Sequence, residues 1–518
     1  MLMESKAFNI INANIISLDD RQPHSSSLTI NGGVIESVGN PNPALKSINL
    51  HGATIIPGFI DSHFHLRNLG KRLDMLQLKG VDSLDKIRSM IIKECQNKPK
   101  GDLIFGFGWD QNLWESKDFP ASDVLNLISP DHPIILTRID GHATWVNQKC
   151  LDVAEYDFNH GVPDGGKIIN NCILVDNAMK IVSHLNQENT PQNVKRWINN
   201  ATDIIIKRGI CSVHDAWQDQ TIINAINELI KEDNFPIRCY GMLDGSNQDL
   251  CKKFFKGGFL RSEKYNIRSV KAFIDGALGS RGAALLEPYS DDTHNCGLIL
   301  ISHEEFGELA KLCSKYNYQL NTHAIGDKGN QIVIDTYSEY TKNQDTRWRI
   351  EHAQMVTSKD LDRIIDNHIV PSMQPSHCTS DMKWLPERIG EHRLHRISRW
   401  KTFINKGAKI AGGSDCPIEE GNPLFEFYAA ITRQDHQGFP SDGFQKQECV
   451  TPIEALKMLT TWGARAEFQE QNKGKIKPGY KADITILSDD ITKMDSSKIL
   501  NIKTLGTIIG GQFVFSQL

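Results

Sequence analysis

Hydrophobic and polar positions alternate with a period of two near both ends of the chain. Short runs rich in β-branched residues are separated there by turn signals such as Asn31-Gly32-Gly33 and Gly510-Gly511. The runs predict strands over residues 8–16, 27–30, 34–38, 482–487, 502–509 and 512–515. Because both ends of the chain read as strands alone, we expect residues 1–57 and 470–518 to meet and form one composite β-sandwich.

The long middle of the chain follows a different pattern, in which strand-like apolar runs alternate with amphipathic helical stretches. The strand-like runs lie at residues 103–107, 134–138, 211–214, 270–274, 319–323, 349–352, 369–373 and 408–413. The helical stretches between them include residues 84–94, 193–207, 304–316 and 359–367. This alternation predicts an α/β fold, most economically a (β/α)8 TIM-like barrel over residues 58–469 with insertions.

Composition narrows the class of protein and its partners. The 518 residues are 39% hydrophobic and 23% charged, and the net charge of −5 is spread without a basic cluster. We therefore expect a globular protein that binds neither nucleic acid nor a membrane surface and acts on a small molecule. No apolar run approaches the ~18 residues of a membrane span. Eleven cysteines without a CxxC pair, together with a start unlike a signal peptide, predict a cytoplasmic location.

The segment Pro57-Gly58-Phe59-Ile60-Asp61-Ser62-His63-Phe64-His65 carries the first sign of chemistry. Alternate residues of a strand share a face, so His63 and His65 can bind the same metal ion. Alone the pair is a weak signal, because two of 18 histidines often fall at this spacing by chance.

Other predicted strands carry groups of similar chemistry at or near their ends. Lys271 lies inside an apolar run, His323 and His352 end two further runs, and Asp415 follows Gly412-Gly413-Ser414. Each has an ordinary explanation: a hydrogen-bonded histidine, a lysine whose ammonium reaches water, or a turn aspartate. Functional groups of such barrels collect at the C-terminal ends of the strands. All of these groups on that one face therefore favour a metal site.

The order of these residues and the sequence motifs around them resemble those of the amidohydrolase superfamily. The resemblance is to its amidohydrolase-3 branch, which contains N-substituted formamide deformylases and related metal-dependent hydrolases. The motifs behind the resemblance span nearly the whole chain. They are Pro57-Gly58-Phe59-Ile60-Asp61-Ser62-His63, Arg138-Ile139-Asp140-Gly141-His142-Ala143, Val213-His214-Asp215-Ala216, Lys271-Ala272-Phe273-Ile274-Asp275-Gly276, His323-Ala324-Ile325-Gly326-Asp327, Arg349-Ile350-Glu351-His352-Ala353-Gln354, Gln374-Pro375-Ser376-His377 and Gly413-Ser414-Asp415.

The resemblance implies a binuclear metal centre with a defined ligand set. His63, His65 and Asp415 would hold the more buried ion, and His323 and His352 the second. Lys271 would bridge both as a carbamate, a form open to a buried lysine that gives up its proton. Imidazole and carboxylate-type oxygen suit Zn²⁺ best, with Fe, Mn, Co and Ni as alternatives.

The resemblance also implies a reaction. A metal-bridging hydroxide would attack the carbonyl carbon of a small N-formyl or N-acyl substrate, with Asp415 as proton shuttle and cleavage of a non-peptide C–N bond. Hydrolysis of an ester, a cyclic amide or a carbamate stays open, as does a non-catalytic binding role for the barrel. Deamination is disfavoured, because no glutamate follows His323 closely in Ala324-Ile325-Gly326-Asp327.

Five further residues are candidates for binding the substrate. His142 follows a strand-like run and either hydrogen-bonds the polarised oxygen, as a catalytic residue, or holds a turn. Trp109 and Asp110 place an aromatic beside a carboxylate, in a pocket or in a core. Arg281 either binds a substrate carboxylate or forms a structural salt bridge, and His377 is open between a site and a structural role. A homodimer is an expectation from the family alone.

Overall fold

The computed structural model describes residues 7–139, 141–185, 189–341 and 344–518, apart from the side chain of His160. The chain forms two compact units. One contains Met1–Leu66 and Ala201–Leu518, and the other contains Arg67–Asn200. The helices Leu66–Leu73 and Pro191–Lys207 contain the points at which the chain passes from one unit to the other.

The first unit is built around a nearly closed parallel barrel. Its strands in the described chain are β1 (Phe59–Phe64), β2 (Ile210–Gln218), β3 (Arg238–Asp244), β4 (Tyr265–Phe273), β5 (Gln319–Ala324), β6 (Arg349–His352), β7 (Val370–Met373) and β8 (Ala411–Gly412). Successive strands pair in parallel. A parallel bridge between Phe64 and Cys416 joins the two ends of the series. The barrel predicted from the sequence is therefore confirmed.

Helices follow the barrel strands, and polar side chains define where many of them begin. The first are α1 (Gln220–Lys231), α2 (Gln248–Gly257), α3 (His303–Lys315), α4 (Asp327–Thr341) and α5 (Ser358–Asp366). Further helices are Pro375–Asp381, Leu385–Ile389, Trp400–Asn405, Pro423–Thr432, Pro452–Met458 and Thr461–Ala466. Ser302 and Glu305 form a capping box at α3, which satisfies backbone N–H groups of its first turn. None of the described helices has the length and apolar character needed to cross a membrane.

Strands from both chain ends make two further sheets in this unit. One has the order Val34–Val38, Leu28–Asn31, Phe8–Ile11, Ser47–Asn49, and the other Gln512–Ser516, Thr504–Ile509, Ile484–Leu487, Thr54–Pro57, Asn14–Ile16, His24–Ser25. Buried Ile10, Leu28, Ile55, Ile484 and Ile508 belong to one shared core. The boundaries at residues 57 and 470 remain a prediction.

The second unit contains a mixed sheet of its own. Its order is Gly166–Ile169, Ile173–Asp176, Ala143–Val146, Ile134–Arg138, Ile104–Trp109, Leu76–Gln77, and its helices include Leu84–Asn97, Ser122–Ile128 and Gln148–Val153. The runs at 103–107 and 134–138 thus form strands, but outside the barrel. The physical reason is that Ile134–Arg138 pairs antiparallel with Ala143–Val146 after a short connection, so no crossover helix follows it.

Candidate metal centre

Asp415 lies at the meeting point of two groups of possible metal ligands. Ligand atoms of His63, His65 and Asp415 all lie within 4.8 Å of one another, and so do those of His352, His377 and Asp415. Asp415 Oδ1 is 3.0 Å from His65 Nε2 and 3.4 Å from His63 Nε2, while its Oδ2 is 3.8 Å from His377 Nε2. One carboxylate therefore faces both groups with different oxygens.

The side chain of Asp61 holds the ends of β1 and β8 together at this centre. Its Oδ1 accepts the backbone N–H groups of His63 and Ser414, both at 3.1 Å, and its Oδ2 accepts the Ser414 hydroxyl at 2.6 Å. The Asp415 N–H in turn donates to the His63 carbonyl oxygen at 2.8 Å. These bonds fix the distance between His63 and Asp415, although the two lie at opposite ends of the barrel sequence.

Three of the histidines are oriented by acceptors that bond to their Nδ1 atoms. The pairs are His63 with a Glu351 carboxylate oxygen, His65 with the Ala216 carbonyl oxygen at 2.9 Å, and His352 with Gln374 Oε1 at 2.8 Å. An acceptor at Nδ1 selects the tautomer whose Nε2 lone pair is free for a metal ion. Histidines that bind a metal ion ordinarily have such an acceptor on the ring nitrogen that faces away from the ion.

Lys271 and His323 lie beside the two groups. Lys271 is buried on β4 with its Nζ 3.3 Å from His63 Nε2. The ring of His323 lies 4.5 Å from that of His352, and its Nε2 is 3.6 Å from Asp275 Oδ1. The structure thus brings together all six residues that the sequence interpretation proposed as ligands, and adds His377 to them.

Burial sets the charge state of these donors. It lowers the pKa of His63 to about 4 and that of His323 to about 3, with the nearby Lys271 acting in the same direction. It also lowers the pKa of Lys271 to about 8. Burial alone would raise the pKa of Asp415, but the imidazoles of His63 and His65 outweigh it and hold that pKa well below its usual value. Imidazoles kept neutral by burial, as at His63 and His323, beside an ionised carboxylate fit divalent metal ions.

Backbone conformation at two of these residues is costly and therefore informative. His352 has φ +75° and Asp415 has φ +56°, both in the left-handed region. Non-glycine residues enter this region only at a cost, and such strain concentrates at functional sites. Tertiary contacts at the strand ends hold both side chains towards the centre.

Gln374 gives a prediction about metal affinity. Gln374→Leu removes the acceptor that orients His352, so we expect metal affinity to fall about 10- to 100-fold. Titration of the metal-free chain with Zn²⁺ measures the change. Gln434→Leu is a matched control, since that amide bonds to the carbonyl oxygens of Pro440 and Ser441. Equal affinity in both variants contradicts the orienting role.

Behind the Glu351 carboxylate, a row of buried charged side chains crosses the barrel. Arg349 Nε is 2.7 Å from Glu351 Oε1, and Arg349 Nη1 donates to His214 Nδ1 at 2.9 Å. His214 Nε2 is 3.2 Å from Glu467 Oε1, which Lys473 Nζ approaches to 2.6 Å. Buried charges persist only when paired in this way. The row therefore supports Glu351 and, through it, the ring of His63.

The carboxyl of Glu467 predicts an acid-sensitive contribution to stability. Burial opposes its ionisation, but Lys473 and His214 outweigh burial and lower its pKa from 4.5 to about 2. A carboxyl with a lowered folded-state pKa stabilises the fold above its unfolded pKa, and that stability is lost as the pH falls. We expect the free energy of unfolding to drop between pH 5 and pH 2 by on the order of 3 kcal/mol from this group. Urea unfolding of wild type and Glu467→Gln checks this: a pH dependence identical in both contradicts it.

The remaining predicted substrate residues have varied surroundings. In the second unit, Trp109 is fully buried with its indole N–H bonded to the Leu136 carbonyl oxygen, Asp110 accepts from Arg138, and exposed His142 has its Nδ1 3.0 Å from Asp176 Oδ1. In the first unit, Arg281 donates two hydrogen bonds to Asp291, at 3.1 and 2.9 Å. Their roles towards substrate remain predictions. Asp140, quoted in one motif, lies outside the described residues.

Sequence reasoning assigned no role to four residues that shape the centre: Asp61, Asp275, Glu351 and Gln374. Asp275 accepts the backbone N–H groups of Ala284, Ile325 and Gly326 while it faces His323. Asp61, Asp275 and Glu351 are acidic residues within or directly after apolar strands, and that pattern was the available signal. Gln374 carried no such signal.

Comparisons with known proteins agree with this geometry. The family model described as "Amidohydrolase family" matches residues 46–515. An Arabidopsis thaliana relative, "Protein LONG AFTER FAR-RED 3", is 30% identical over 98% of this chain and 91% of its own length. "N-substituted formamide deformylase" of Arthrobacter pascens is 24% identical over 97% of both chains. A solved structure, an uncharacterized metal-dependent hydrolase from Pyrococcus furiosus, superimposes with a TM-score of 0.79 at 27% identity, covering 94% of this chain and 100% of its own.

The barrel carries buried imidazoles and a carboxylate at the C-terminal ends of its strands. Together with the similar proteins above, this places the protein among the metal-dependent hydrolases. The chain belongs to the amidohydrolase family.

Proposed function

We propose that this protein is a binuclear metal hydrolase that cleaves a non-peptide C–N bond in a small N-formyl or N-acyl compound. Water and the substrate R–CO–NH–R′ would give the acid R–COOH and the amine R′–NH₂. The observation that carries the proposal is the position of Asp415 between two ligand groups, with Lys271 Nζ 3.3 Å from His63 Nε2. The deformylase relative supports the choice of bond.

We assign the donors to two ions. His63, His65 and Asp415 would hold one ion, and His323 and His352 the other, with Lys271 between them as a carbamate. Zn²⁺ is the preferred occupant for imidazole and carboxylate-type oxygen donors. When bound, such ions lower the pKa of a water molecule towards neutrality and polarise a carbonyl group.

The chain itself supplies binding, orientation and proton transfer. Asp415 is ionised and points both oxygens into the centre, so it can take a proton from the attacking water and return it to the leaving nitrogen. His377 Nε2 is buried without a hydrogen-bond partner among the described residues. It can therefore either complete the second ligand group or donate to the substrate carbonyl oxygen.

Metal analysis joined to a substrate screen tests the proposal. We expect close to two ions per chain, and hydrolysis of N-formyl or N-acyl amines in preference to esters, lactams and carbamates. His352→Ala should lose one ion per chain, because His352 is assigned to the second ion and not to the first. A single tightly bound ion with full activity would overturn the binuclear assignment, and esters as the best substrates would overturn the choice of bond.

A further inference from the structure

A cavity of about 860 Å³ lies between α2 and α3, at the C-terminal ends of β2, β3 and β4. Its size is within the range of pockets that enclose small molecules. Lys271, Ala272 and Phe273, at the end of β4, are among its lining residues. The strand that carries the proposed bridging lysine is thus also a wall of this cavity.

Phe273 connects the cavity with the candidate metal centre. Its ring lies 5.3 Å from the ring of His323 and 5.0 Å from Lys271 Nζ. On the cavity side, Trp217 meets the same ring edge to face, with centroids 5.9 Å apart. One aromatic side chain therefore contacts both the proposed metal ligands and a lining residue of the cavity, so the cavity lies one side chain away from the centre.

Trp217 has two properties that point to a contact with a ligand. Its backbone has φ +73°, a conformation that is a true outlier for a bulky side chain. The residue is 41% exposed at the end of β2, although it lines the cavity. Strain that leaves a large aromatic uncovered at a cavity wall is typical of a residue that binds rather than one that packs.

The inner lining is apolar, while its ionisable groups are mostly acidic. Phe255, Leu309 and Leu312 line the cavity between the two helices. The acidic lining residues are Asp244, Glu304, Glu305 and Glu308, and the basic one is Lys252, because Lys271 is assigned above as a carbamate. This excess of negative charge repels an anion and admits a neutral or cationic group.

We propose that this cavity binds the amine-side substituent of the substrate, and that it selects apolar aromatic groups that carry no negative charge. The assignment rests on the proposed hydrolysis of N-formyl or N-acyl amines. Trp217 and Phe273 are the specificity-determining residues, because they are the aromatic side chains that line the cavity on the side of the centre. N-acyl amino acids, which carry a carboxylate beside the nitrogen, are disfavoured substrates.

Two substrates that differ by one carboxylate test the charge preference directly. We expect kcat/KM for N-formyl-2-phenylethylamine to exceed kcat/KM for N-formyl-L-phenylalanine by about tenfold or more. It should exceed kcat/KM for N-methylformamide, which has no aromatic group, by a similar factor. Trp217→Ala should reduce both ratios. Leu298→Ala, on an exposed residue of the loop before α3 that does not line the cavity, should leave both ratios as they are. Glu304→Lys should narrow the difference between the two phenyl substrates.

Calorimetric titration with the product amines separates this inference from the proposed function. We expect 2-phenylethylamine to bind more tightly than L-phenylalanine, and Trp217→Ala to weaken it. Binding of this kind without turnover of any formamide supports the cavity and overturns the hydrolysis. Turnover of all three formamides with equal kcat/KM supports the hydrolysis and overturns the cavity assignment, as does a failure of Trp217→Ala to change binding.

Discussion

Asp415→Asn is expected to lower kcat by about 10²- to 10⁴-fold, the usual contribution of a positioned general acid–base group. The amide cannot accept the proton of the attacking water, yet it keeps the shape of the side chain and one ligating oxygen. KM should change far less than kcat. Steady-state kinetics at matched metal loading measure both quantities.

The control for this variant is a buried carboxylate away from the centre. Asp360→Asn removes a buried charge on α5 that pairs with Arg363 at 3.0 Å. It should retain wild-type kcat even where its stability is lower. Turnover by Asp415→Asn close to that of wild type, with metal bound, would remove Asp415 from the proton shuttle.

Lys271→Ala is expected to abolish measurable activity and to lower metal content. Nothing else at that position on β4 can provide an oxygen bridge between the two proposed ions, and the Nζ that lies 3.3 Å from His63 Nε2 is lost. Short carboxylates such as acetate or propionate should restore part of both metal content and kcat, because they replace the carbamate oxygens in the space vacated by the side chain. Metal analysis and kinetics against carboxylate concentration provide the two measurements.

Lys473→Ala is the matched control for that rescue. Lys473 is also a buried lysine of the barrel unit, but its ammonium pairs with Glu467 at 2.6 Å. Glu467, His214, Arg349 and Glu351 lie between it and His63 in the row of buried charges. Its loss should reduce stability without any response to carboxylates. An equal response of both variants, or full activity of Lys271→Ala, would contradict the bridging role.

The strand pattern was readable in the barrel because each run carries its own hydrophobic period. Arg349–His352 coincides with the predicted run, and α3 and α5 begin within one residue of expectation. The runs at 103–107 and 134–138 have the same local pattern but pair in a different sheet. Local periodicity specifies a strand, whereas the neighbour of that strand depends on contacts distant in sequence.

The candidate ligands were predictable for a related reason, since they share one position in the barrel repeat. His63, Lys271, His323 and Asp415 lie at or just past the C-terminal ends of strands, where such barrels bind their ligands. The residues that orient them were harder to predict. Gln374 is recognisable only once the structure places its amide 2.8 Å from His352 Nδ1.

The sequence by itself predicted the barrel fold, most strands of the barrel and of the two chain ends, and six candidate ligands, because hydrophobic period and strand-end chemistry are local properties. The barrel strand Arg238–Asp244 was missed. Tertiary structure alone decided three things: the sharing of Asp415 between two ligand groups, the buried row from Glu351 to Lys473, and the cavity behind Phe273. Each depends on distances between side chains far apart in the chain. Burial then sets their charge states, and burial is a property of the folded molecule.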